Sequence, residues 1–179
     1  PTPSHNRAGS PLSSPGTPGP PRSHVVIPAS GRDRVRVQYA SATSDKAASL
    51  LTFRSQSRVT TVTASSAANQ TVINAPPYPG AAASDVVVLF SNATGTGVRG
   101  VVASVDAVAG TITLNANLGL ALAPGDTVWL MTSRGQVPVG AATKEVNAPT
   151  VFAVNEGPAL IELDGTAACR INLVAGEYS

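Results

Sequence analysis

Catalytic side chains are scarce in this 179-residue chain: one cysteine, Cys169, and two histidines, His5 and His24. A single thiol rules out an internal disulfide framework and leaves too few thiols for a structural zinc site. Cys169, in AACRINL, reads as a small apolar residue of a strand. Both histidines fall in or beside a proline-rich stretch, so no Ser-His-acid or Cys-His constellation can be drawn in the rest of the chain. Charged residues make up only 12% of the sequence and seven residues are aromatic, against about 25% charged in an average globular chain. No charged-then-apolar leader and no apolar run of about 18 residues is visible, so the expectation is a soluble chain with no membrane span. The sequons at Asn69 and Asn92 read as chance matches.

What is present divides unevenly. Residues 1 to 24, PTPSHNRAGSPLSSPGTPGPPRSH, hold seven prolines, three glycines and five serines, with Leu12 as the one large aliphatic side chain. Such a segment cannot bury enough apolar surface to offset its ordering entropy alone. It is expected to act as an arm, extended along a partner in polyproline-like conformation. Residues 25 to 59 read as a connecting segment. It has a strand in which Val35, Val37 and Tyr39 alternate with Arg34, Arg36 and Gln38, and a short helix opening at Ser44 that carries Ala47, Leu50 and Leu51. Residues 60 to 179 read as the β domain.

Charge is also split. Up to residue 58, eight basic residues face Asp33 and Asp45, a net +6, whereas from residue 59 onward four basic residues face eight acids, a net −4. Opposite signs favour contact between copies, or between the basic end and an acidic surface. Nucleic acid is the weaker reading, because the arginines are dispersed and no aromatic residues interleave them. The candidate partner-binding residues are Arg7, Leu12, Arg22, Arg32, Arg34 and Arg36.

Within the β domain, strands are expected at Thr60 to Ala64, Thr71 to Ala75, Asp85 to Phe90, Arg99 to Val105, Thr111 to Leu114, Thr127 to Met131, Thr150 to Asn155, Ala159 to Leu163 and Cys169 to Val174. Turns fall at Pro76 to Gly80, at Asp106 to Gly110, and at Pro124-Gly125, whose residues suit a type II turn with Asp126 accepting its hydrogen bonds. Many short strands with frequent turns predict an all-β fold, a small β-barrel or β-sandwich.

One motif points elsewhere. Gly95-x-Gly97-x-x-Gly100 has the spacing of a dinucleotide-binding turn, but that chemistry needs a helix N-terminus next, and VVASVD reads as a strand. The expectation is a flexible loop from Ser91 to Gly100 and no cofactor. Glu162 and Asp164 could share a strand face, which more commonly means a solvated face than a carboxylate pair. No loop signature for calcium occurs, so neither catalytic nor metal-ligating residues are assigned.

The run VDAVAGTITL (105 to 114), followed by LGLA (118 to 121) and PGDTV (124 to 128), resembles the small β-barrel modules of tailed-bacteriophage virion proteins. An extended arm ahead of such a module is similar to capsid decoration, or cement, proteins. The resemblance covers about a quarter of the chain. It implies a non-enzymatic structural protein of the virion, a homotrimer bound to the major capsid protein or another virion protein, with the role carried by surfaces and no single residue transferred. A neck, tail or fibre adaptor of the virion is the alternative. A carbohydrate-binding β module is a second, and an exposed cluster of Trp129 and Tyr78 would favour it.

Overall fold

The computed structural model describes residues 24–27, 35–41, 49–139, 144–147, 158–164 and 169–175. The described chain is all-β. Its strands are β1 (His24–Ile27), β2 (Val35–Ser41), β3 (Ser49–Thr61), β4 (Val72–Ile73), β5 (Val86–Ser91), β6 (Thr96–Asp106), β7 (Thr111–Leu114), β8 (Thr127–Val139), β9 (Lys144–Asn147), β10 (Ala159–Asp164) and β11 (Cys169–Ala175). Two sheets form, in the orders β1-β10-β3-β8-β5-β6-β7-β4 and β11-β2-β9. The larger sheet is open, with β1 and β4 at its edges. The all-β class is therefore as expected, but a closed barrel is not formed.

Several boundaries differ from the sequence reading. Leu50 and Leu51 lie in β3, not on a helix. Two neighbouring leucines suit a strand with both faces covered as well as one side of a helical turn, and Leu51 and Phe53 on one face and Thr52 on the other are buried. Ser44 to Lys46 lie outside the described residues, as do Thr150 to Asn155. β3 absorbs part of the presumed connecting segment and ends at Thr61, and the strand expected at Thr71 to Ala75 shrinks to Val72–Ile73. β8 runs well past Met131 to Val139, and β1 and β9 were not anticipated.

The chain divides into two compact units, one of them Gln56–Thr132 with Gly157–Ala159. Its core gathers Val62, Ile73, Ala75, Tyr78, Val87, Leu89, Val102, Ile112, Leu114, Leu118, Leu122 and Val128. Each fully buried aliphatic side chain of this kind contributes about 1.5–3 kcal/mol. Alternation explains the choice: Val87 and Leu89 of β5 point inward, and Gly100, paired with Val87, leaves the space that Leu114 fills. A β-bulge between Val102 and Ser104 bends β6, so its first half pairs with β5 and its second with β7. Beyond the ladders, Thr63 donates its N–H to Asn74 O at 2.7 Å and Val62 donates to Asp126 O at 2.8 Å, drawing the chain after β3 over the same core.

The other unit contains the sheet β11-β2-β9, in which Tyr39 pairs with Ile171 on one side and Lys144 on the other. In β10, Leu160 and Ile161 are both fully buried, so both faces of that strand are covered. Arg54 of β3 donates from Nε to Glu162 Oε2 of β10 at 2.9 Å, and the Glu162 side chain is 6% exposed. Glu162 thus serves as an internal ion-pair partner, not as part of a solvated face.

Candidate functional site

The glycine motif resolves into a hairpin. β5 and β6 pair from Val86–Val101 to Ser91–Thr96, leaving only residues 92 to 95 as the connection. Gly95 supplies the left-handed backbone at φ +65°, and its N–H donates to Ser91 O at 2.9 Å. Gly97 and Gly100 lie inside β6 and have no such φ. The expected ten-residue flexible loop is corrected to a tight one: Gly97 and Gly100 pair with Phe90 and Val87 inside the ladder, and at Gly100 a Cβ would meet Leu114. The strand continues to Asp106, so no helix N-terminus follows to receive a phosphate.

The acids are held in structural work. Asp126, 5% exposed, accepts N–H groups from Asn92 (Oδ1, 2.9 Å) and Ala123 (Oδ2, 2.8 Å). Gly125 has φ +95° and Asp126 N donates to Ala123 O, which is the type II turn expected from Pro124-Gly125. Asp106 Oδ1 accepts from Val108 N and Ala109 N at 2.9 Å each, shaping the β6–β7 turn. Asp85 Oδ2 accepts the Tyr78 hydroxyl at 2.8 Å and Ala82 N at 3.0 Å. Burial, reinforced by the hydrogen bond and the negative charge of Asp85, holds the Tyr78 hydroxyl above the usual tyrosine range. Among the described residues no group of three or more His, Cys, Asp or Glu is placed to hold a metal ion.

Of the candidate binding residues, Arg7, Leu12, Arg22, Arg32 and Arg34 lie outside the described residues. Arg36 stands in β2, the central strand of its sheet, with Asn147 and Val174 as backbone partners. Cys169 opens β11 opposite Ser41, in a strand as expected.

One face of β8-β5-β6 was not legible as a unit from the sequence. Strand register sets Trp129, Val88 and Arg99 in one cross-strand row, and Thr127, Phe90 and Gly97 in the next. Directly paired residues share a face, so these six side-chain positions lie together on the side opposite Val87 and Leu89. Trp129, Phe90 and Arg99 are partly exposed, whereas Val88 between them is fully buried. Trp129 donates from Nε1 to Thr127 Oγ1 at 2.7 Å, which fixes the indole, and Phe90 pairs across the ladder with Gly97, which has no side chain. The alternation Thr127-Val128-Trp129 was the available signal, but its partners sit about 30 to 40 residues away. Tyr78 is 2% exposed and belongs to the core, so Trp129 and Tyr78 form no exposed cluster. Such a face offers apolar and stacking contact and no group suited to proton transfer.

Comparison with protein-family models and with curated proteins finds no match for the chain.

Proposed function

We propose that the chain is a structural protein of a tailed-bacteriophage virion, a decoration or cement protein that binds and reinforces the capsid lattice. In this reading it is not an enzyme. Its N-terminal arm lies over neighbouring subunits, the major capsid protein or another virion protein, and the protein acts as a homotrimer in the assembled particle. The observation that carries the reading is that Asp85, Asp106, Asp126 and Glu162 are all engaged in turns or an internal ion pair. These four acids are spent on the body's own rigidity, which supports a role carried by surfaces, and a chain with 12% charged residues has much surface to be covered by others. An arm of 23 residues ahead of β1 would reach about 70 Å in polyproline conformation, enough to cross a subunit boundary.

A neck, tail or fibre adaptor would use the same parts at another position. Burial of Tyr78 removes the aromatic pair that a carbohydrate-binding module would use. Cryo-electron microscopy of purified particles, with mass spectrometry of their proteins, tests the proposal. The expected result is density for this chain repeated over the capsid lattice. Density confined to the neck or tail would favour the adaptor, and absence of the chain from particles would end the virion reading.

A further inference from the structure

We draw no further inference here: the strongest candidate, the exposed apolar tip of the β6–β7 hairpin at Val108, whose backbone Asp106 holds through Val108 N and Ala109 N, is an unpartnered surface patch, and nothing in the structure shows what covers it.

Discussion

Asn92 donates its backbone N–H to Asp126 Oδ1 at 2.9 Å and its side-chain amide to Gly125 O at 2.7 Å, joining the β5–β6 hairpin to the turn that opens β8. Residues 34 positions apart are thus locked into one corner by a carboxylate that also closes its own turn through Ala123. Replacing Asp126 with Asn retains the shape but turns one acceptor into a donor. Urea denaturation should show a loss of about 1–3 kcal/mol for Asp126→Asn. Asn92→Ala, which leaves both carboxylate contacts available, should cost about 1 kcal/mol or less. Equal losses for the two would show that Asp126 is not the centre of the corner.

Tyr78 supplies a pH signature. Because the fold raises its hydroxyl above the usual range, the folded chain holds that proton more tightly than the unfolded one. The resulting stabilisation is fully present below the unfolded tyrosine value of about 10 and is lost as pH rises above it. Tyr78→Phe should cost about 1–2 kcal/mol at neutral pH, since Asp85 loses a donor, and should lessen the decline in stability at alkaline pH. Chemical denaturation between pH 7 and 11 checks both points. An alkaline decline unchanged in the variant would contradict the assignment.

Gly100 and Gly97 should separate cleanly. A Cβ at Gly100 would lie 2.7 Å from Leu114 Cδ1, a side chain itself 4% exposed and unable to swing into solvent. Gly100→Ala is expected to cost about 1–2 kcal/mol through overpacking. Gly97→Ala, in extended backbone on the other face, should stay within about 1 kcal/mol. Neither substitution involves a nucleotide, so NAD or ATP should leave the melting temperature of the unsubstituted chain unchanged. A ligand at a hundred times its dissociation constant would add about 2.7 kcal/mol, a shift that melting curves resolve.

For Arg54 and Glu162 the expected loss is intermediate. The glutamate side chain is 6% exposed and the arginine 24%, so solvent screens part of the pair. Glu162→Gln should destabilise by about 1–3 kcal/mol, below the roughly 3–5 kcal/mol of a fully buried pair. Converting both residues to apolar ones, Arg54→Met with Glu162→Leu, should recover most of that loss, since no uncompensated charge then remains. A double variant as unstable as the single would count against the ion pair as the cause.

These residues show where sequence reading succeeds and where it stops. The type II turn at Pro124-Gly125, the role of Asp126 within it, and the span of β7 were all legible, because turn chemistry and period-two alternation are local signals. Glu162 was not, because its partner Arg54 lies 108 positions earlier and nothing nearby marks the contact. Leu50 and Leu51 misled for a related reason: a short apolar pair does not distinguish helix from covered strand until its neighbours are known. The Trp129 face required register, which a sequence without a decisive turn cannot fix for β5 against β8. The candidate partner-binding residues rest on composition and charge alone, and of these Arg36 is the one that falls among the described residues.

The central claim is a folded β body carried into a particle by its arm, and incorporation of an arm-deleted chain tests it most directly. Particles assembled with either the full chain or the chain starting at His24, the first residue of β1, would be compared for bound protein, with circular dichroism confirming that both are folded. The account predicts a folded truncated chain whose occupancy on particles falls at least about tenfold, the loss expected when a second binding segment is removed. Undiminished occupancy of the truncated chain, or its failure to fold, would contradict it.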